Sequence, residues 1–503
     1  MLFKNTLAQS SGAFVAYVAS LVLAPVMLAR LGLEAFGVWA VTGALVTYAR
    51  ALDFGIGRSL ARFVALYEAA GDRRGMQECV GLGLIAVTGL SVVGIVAAWL
   101  SAPLVADVLD ALSAEDMRVV MVSSVVLGMT YAYAQALNAL PIGMRRMVPP
   151  NVANTVATLI NLAFSLTALA LSTSLTDYAL ANAAAGVVGM VPYLVVLAYV
   201  GERPYAALPS KSRIAEVLGY GIKGQVNWIA DLVNLETDKL IIAVMLDVRI
   251  AGAYEVGSRV AVAVRSFGIL TLSAMIPTAT AEIVKGGRSV IPRFYRRYLK
   301  LSVGTSFGLF AVSCVTAPFA LVAWLGEIPD RSDGVLVLLV VGYAMNITTG
   351  VGTSLAMAEG RPGLVAVYSA IPAGLNIALT LILAPLFGLW GVLTATVLAW
   401  SVGSLLFVRA YQRLHGMAWR DYLQAVLPPT ALCAALAVPF VLWYALGGTV
   451  PDTRLPALIG ATAIAASFGL PYWLIAGRLG LLPERLTASH MRGVRRAARA
   501  SSQ

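Results

Sequence analysis

Apolar stretches of roughly twenty residues follow one another along almost the whole chain, each closed by a short polar or basic connection. Spans are expected near 9–30, 35–62, 78–101, 118–140, 150–172, 177–200, 215–246, 250–281, 299–324, 334–357, 363–386, 387–409, 424–447 and 455–477. The pattern therefore predicts an all-α protein of about fourteen transmembrane helices. The second and eighth segments exceed what a bilayer needs, so each is expected to bend or to project into the cytoplasm. Pro25, Pro277 and Pro372 fall inside spans and mark expected kinks.

Two spans break the apolar pattern in informative ways. In the second, Arg50 and Asp53 fall fifteen or more residues after Leu31, about 22 to 27 Å along a helix and so at bilayer depth. An ionisable group there costs at least ~2.5 kcal/mol against lipid, so this face is read as lining a wet, positively charged cavity. Arg50 and Asp53 also stand i, i+3, so mutual pairing is the alternative explanation. Arg58 and Arg62 extend the basic stripe. In the seventh span Lys223, Asn227, Asp231, Asn234 and Asp238 recur at steps of four, four, three and four, flanked by Gln225 and Trp228. That stripe is expected at a cavity or a lobe interface. The eighth span adds Glu255 and Arg259 at i, i+4, which read as an internal ion pair, and then Arg265 with no acid within four residues.

Composition agrees with the pattern: 59% of residues are hydrophobic, 12% are charged, and the mean hydropathy is +0.83. No sizeable soluble domain is expected. The opening MLFKNTLAQSSG has one Lys and no small-residue cleavage site, so the first span is expected to stay. Cys79, Cys314 and Cys433 lie in or beside spans without ligand spacing, and His415 and His490 are far apart, so no metal and no cofactor is expected. No phosphate loop, HExxH or G-x-S-x-G occurs, which gives no support for an enzyme.

Charge sets the orientation. One set of connections carries Arg73, Arg74, Arg145, Arg146, Lys211, Arg213, Arg293, Arg296, Arg297 and others, while the alternate set is acidic, with Asp107, Asp110, Glu115, Asp116, Glu327, Asp330 and Asp333. The positive-inside rule places both termini in the cytoplasm. The net charge of +11 thus needs no nucleic acid. The loop RFYRRYLK and the tail RGVRRAARA are expected against anionic lipid headgroups.

The chain repeats itself at an offset of about 215 residues: Leu31 matches Leu246, Gly37 matches Gly252, Arg50 matches Arg265, Arg146 matches Arg361 and Asn161 matches Asn376. This predicts a duplicated six-helix unit related by an axis along the membrane normal. The lobes are expected at 1–205 and 206–415, joined by a linker near Gly201 to Arg213, with two added helices and a basic tail at 416–503. Glycines such as Gly81, Gly83, Gly89, Gly94, Gly350 and Gly352 are read as close-packing positions. Trp39, Tyr254 and Trp324 are read as interfacial anchors.

The stretch RLGLEAFGVW from Arg30 to Trp39, and LDFGIGRSLARFVALYEAAGD after it, resemble the polysaccharide flippase branch of the multidrug/oligosaccharidyl-lipid/polysaccharide exporter superfamily. The resemblance covers essentially the whole chain. It implies translocation of an undecaprenyl-diphosphate-linked oligosaccharide across the bacterial inner membrane, for O-antigen, capsule or exopolysaccharide synthesis. Implied partners are that lipid-linked saccharide, membrane lipids, a polysaccharide polymerase and glycosyltransferases. In such flippases central basic residues hold the pyrophosphate, which maps here to Arg50 and Arg265, helped by Lys223 and Arg259. A cation-coupled drug antiporter of the same superfamily would favour carboxylates, and Asp53, Asp231, Asp238 and Glu255 keep that alternative open for ion or proton coupling. A peptidoglycan-precursor (lipid II) flippase is a further alternative.

Overall fold

The computed structural model describes residues 2–51, 56–200, 209–273, 279, 282–283 and 286–482. Asp53, Pro277, the linker 201–208 and the RGVRRAARA tail lie outside these, as do the side chains of Lys223 and Asn227. The described chain is all-helical. Eleven of its helices are long and apolar enough to cross a membrane, and the protein is a multi-pass membrane protein. The helices are α1 (Leu2–Arg50), α2 (Ile56–Ala69), α3 (Arg73–Leu109), α4 (Ala114–Gly143), α5 (Val148–Leu171), α6 (Leu175–Val188), α7 (Val191–Val200), α8 (Lys211–Met245) and α9 (Val248–Ser273). After a short 3₁₀ turn come α10 (Ile291–Leu325), α11 (Ser332–Ile347), α12 (Gly350–Ala358), α13 (Pro362–Phe387), α14 (Leu389–Leu414), α15 (Trp419–Ala445) and α16 (Arg454–Arg478).

Eleven is fewer than the fourteen spans expected, and the reasons are local. The helix α1 absorbs the first expected span and much of the second, but its backbone is non-helical at Gly32, with φ +83° and ψ 171°. A left-handed φ there needs glycine, so the chain turns at the connection the sequence pattern requires. The helices α8 and α9 fall outside the eleven, and both carry charges along their length. Pro25 and Pro372 do lie inside helices.

Two compact units divide the chain, Met1–Gly252 and Ala253–Gln503. The first holds α1 to α8. Its core includes Leu60, Phe63, Val64, Cys79, Val80, Ala136, Leu140 and Val217, drawn from α2, α3, α4 and α8. At the α2–α3 connection Arg213 of α8 donates to Asp72 Oδ2 at 2.5 Å, lies 3.7 Å from Glu78, and stacks 4.1 Å from the Tyr67 ring centroid. Arg62 of α2 likewise sits 4.0 Å over the Tyr220 ring. Both contacts tie the start of α8 to the first unit.

The repeat-related segments at the two ends of this unit also touch. A methyl group added at Gly37 would lie 2.1 Å from the Val248 carbonyl oxygen, and one added at Gly252 would lie 2.5 Å from the Leu33 carbonyl oxygen. Leu33 and Val248 stand at the same offset as the glycines, so the contact is reciprocal, as in a two-fold arrangement.

In the second unit α10 is the central helix, with α15 and α16 packed on it. Tyr472 of α16 lays its ring where a Gly308 side chain would be, 2.2 Å from the added methyl position, and donates to Gly304 O at 2.5 Å. In each unit a repeat-related asparagine, half-buried Asn161 and buried Asn376, ties two neighbouring helices. Asn161 Nδ2 donates to Asn182 Oδ1 at 3.0 Å across α5 and α6, and Asn376 Nδ2 donates to Thr396 Oγ1 at 3.0 Å across α13 and α14. Inside apolar surroundings such amides need a partner, and the pairs set helix register. Gly83, Gly94, Gly350 and Gly352 pack closely as expected, whereas Gly89 has nothing within 4 Å. Tyr254 departs from its expected interfacial place: it is 2% exposed, packed within the protein rather than at a lipid boundary.

Candidate functional site

The first unit encloses a cavity of about 490 Å³, bounded by α1, α2, α4, α5 and α7. Arg50 stands at its wall, half-buried at the last turn of α1, together with Tyr131, Gln135, Asn138, Asn154 and Tyr193. Small residues, Ala61, Ala134 and Ala139, leave the space open between them. Asn138 Nδ2 donates to Asn154 Oδ1 at 3.1 Å, and the Tyr193 hydroxyl donates to the same oxygen at 2.9 Å. Among the described residues the lining holds one permanent cation, several neutral donors and acceptors, and no carboxylate. Such a wall suits an anionic group carrying polar, uncharged substituents.

The polar lining of α4 was visible in the sequence and went unread. Tyr131, Gln135 and Asn138 recur at steps of four and three within an apolar span, the same signal that singled out α8. Asn154 and Tyr193 are single residues on other helices, and only packing brings them to the same wall.

In the second unit Arg265 is held differently. Its guanidinium lies 5.1 Å from the Tyr343 ring centroid and 5.5 Å from that of Trp400, and Nη2 donates to Asn346 Oδ1 at 3.3 Å. Tyr343 and Trp400 meet edge to face at 6.3 Å. Arg265 Nε is buried without a hydrogen-bond partner, and no carboxylate pairs with this side chain among the described residues. Aromatic faces thus supply much of what surrounds the cation.

Arg259, on the same helix, donates from Nε to Glu255 Oε1 at 2.7 Å, the i, i+4 pair the spacing suggested. Asp231 is exposed, and Asp238 is 1% exposed with Oδ1 lacking a hydrogen-bond partner. Other polar groups of α8 find partners inside the first unit. Gln225 donates to the Ala51 carbonyl, Thr237 bonds Tyr48, and Lys239 pairs with Glu236 at 2.8 Å. Asn234 turns back onto its own helix, donating to Ala230 O at 2.8 Å. Among the described residues no cluster of three or more His, Cys, Asp or Glu is placed to hold a metal ion.

A profile of the family described as polysaccharide biosynthesis protein matches residues 2–281, more than half of the chain. The chain belongs to the polysaccharide biosynthesis protein family. No curated protein matches its sequence. Among solved structures this polysaccharide biosynthesis protein is similar to the lipid II flippase MurJ in an inward closed conformation, with a TM-score of 0.67, 13% identity, and coverage of 93% of this chain and 98% of the other. It is also similar to an inward-facing multidrug resistance MATE transporter of the MOP superfamily, with a TM-score of 0.63, 14% identity, and coverage of 80% and 94%. At these identities the likeness establishes the fold, which this chain shares with both structures. The family and fold expected from the Arg30–Trp39 stretch and its continuation are those observed.

Proposed function

We propose that this protein is a flippase that moves an undecaprenyl-diphosphate-linked oligosaccharide from the cytoplasmic to the outer leaflet of the bacterial inner membrane. The observation that carries the reading is Arg50 at the wall of a polar cavity whose lining, among the described residues, holds no carboxylate, in a polysaccharide biosynthesis protein. A diphosphate cannot cross ~30 Å of hydrocarbon unpaired, and an arginine at that depth needs an anion or its equivalent just as much. An organic cation would want the opposite charge at this wall, so the drug-antiporter reading is the less well supported.

In this proposal Arg50 and Arg265 are the principal diphosphate ligands. Lys223 and Arg259 assist, the latter once its bond to Glu255 is exchanged for the substrate. Asp53, Asp231, Asp238 and Glu255 serve as pairing groups or proton carriers. The two lobes rock to open the headgroup site outward, both termini face the cytoplasm, and the prenyl tail stays in the bilayer near α15 and α16. Glycosyltransferases supply the cargo and a polymerase consumes it.

The test is flipping of a fluorescent polyprenyl-diphosphate saccharide in proteoliposomes. Removing one charge-assisted contact weakens headgroup binding about 10- to 100-fold, so Arg50→Ala is expected to abolish flipping at normal abundance while Arg50→Lys keeps part of it. Restoration of flipping by Arg50→Glu combined with Asp53→Arg would overturn the ligand role and leave a structural pair. Impermeant labelling of intact cells checks orientation: Asp110→Cys should react and Arg288→Cys should not.

A further inference from the structure

The cavity wall opposite the charge has a chemistry of its own. Asn154 Oδ1 accepts from both Asn138 and Tyr193, which fixes that amide with its two N–H groups directed elsewhere. Those N–H groups, Asn138 Oδ1, the Gln135 amide and the Tyr131 hydroxyl have no partner among the described residues. Fixed, neutral donors and acceptors left open on one wall are what a hydroxyl-rich ring binds, since each sugar hydroxyl both donates and accepts. The volume of about 490 Å³ lies inside the usual ~300–1,000 Å³ range for small-molecule sites.

The second unit surrounds its repeat-related arginine with different side chains. At the repeat offset Gly128 corresponds to Tyr343 and Ala185 to Trp400, the two rings that pack against Arg265. A methyl group added at Gly128 would meet the Val46 side chain first and Arg50 Cδ at 3.7 Å, so the room beside this glycine is taken by Val46 on the same helix as Arg50. Ala185 lines the small space that continues past Tyr131 and Tyr193.

We infer that the wall formed by Tyr131, Gln135, Asn138, Asn154 and Tyr193 is a saccharide subsite that binds the sugar joined directly to the diphosphate. The inference rests on the flippase reading and adds to it which part of the cargo the first lobe reads. The charged group alone is held by arginine, and the sugar increment comes from the amides and phenols.

The experiment measures two dissociation constants on purified full-length protein in nanodiscs: undecaprenyl diphosphate, and the same lipid carrying one N-acetylhexosamine. The sugar-bearing lipid is expected to bind about tenfold tighter, the equivalent of one or two net hydrogen bonds. In Gln135→Leu and in Tyr131→Phe the ratio of the two constants is expected to fall toward one. Gln135 is exposed to the cavity and makes no hydrogen bond among the described residues, so its replacement leaves folding intact. A ratio near one in the wild-type protein that still binds both lipids would overturn the subsite and leave the diphosphate reading standing. An unchanged ratio in both variants would do the same. Binding of neither lipid would overturn both.

Discussion

Replacing Gly37 by alanine tests the reciprocal contact at the ends of the first unit. The added Cβ would lie 2.1 Å from the Val248 oxygen, 3.0 Å from its carbonyl carbon and 3.1 Å from the Gly252 nitrogen. All three are backbone atoms, so no side chain can swing aside. An ordinary carbon contact needs about 3.5 Å, so the two segments must part by roughly 1 Å or more. Overpacking of that kind costs up to about 3 kcal/mol, offset by about 1 kcal/mol that alanine gains over glycine in a helix, for a net loss near 2 kcal/mol. Gly43 on the same helix has nothing within 4 Å, and Gly43→Ala is the internal control, expected to be neutral or slightly stabilising. The assay is thermal unfolding of detergent-solubilised protein followed by size-exclusion fluorescence. Gly252→Ala should behave like Gly37→Ala, and the double variant should lose less than the sum, because one separation relieves both clashes. If Gly37→Ala melts with Gly43→Ala, the contact does not exist as described.

Three further outcomes are expected. Arg213→Ala should lower thermal stability, with Arg213→Lys intermediate, because Asp72, the buried Glu78 and the Tyr67 ring all lose a partner. The Gly75 amide that Asp72 caps, with Arg213 beside it, holds the Asp72 carboxyl below its usual range. Its contribution should be present above about pH 4, be lost as pH falls through the depressed value, and vanish in Asp72→Asn. His415, whose Nε2 lies 3.1 Å from Glu359 Oε1, is held below the ordinary histidine range because burial outweighs the carboxylate's attraction. The unfolded chain then binds the proton first, so stability should decline as pH falls below about 6.5, and His415→Gln should flatten that part of the melting profile. Asn376→Leu removes the bond from Asn376 to Thr396 Oγ1, while the Thr396 hydroxyl keeps its own bond to Val392 O, and should cost about 0.6 kcal/mol, near the average for a hydrogen bond between membrane helices, read from the shift in the melting midpoint.

Much of this molecule could be read from its pattern because lipid imposes a strong rule: an apolar run of span length has few alternatives to a helix. Arg50 stood out because a formal charge at depth breaks that rule. Tyr131, Gln135 and Asn138 break it more gently, since neutral polar side chains are common between membrane helices, and they passed as packing. Asn154 and Tyr193 carry no local signal at all, for their role exists only after α5 and α7 settle beside α4. The polar stripe of α8 was legible as buried polar surface, but which groups answer it, Ala51 O and Tyr48 among them, depended on how α8 packs in the first unit. Gly37 and Gly252 could be matched as repeats, while their direct contact could not be foreseen from an offset.

The packing around Arg265 has an optical consequence. Trp400 is 4% exposed and its indole nitrogen has no hydrogen-bond partner, whereas Trp99 and Trp390 are 55% and 40% exposed. An indole so shielded from water emits at the short-wavelength edge of tryptophan fluorescence, and the cation over its face makes that emission sensitive to any anion that draws the guanidinium away. Difference spectra against Trp400→Phe would isolate this signal. The second unit thus contains its own chromophore, able to report displacement of the Arg265 guanidinium in real time without a label.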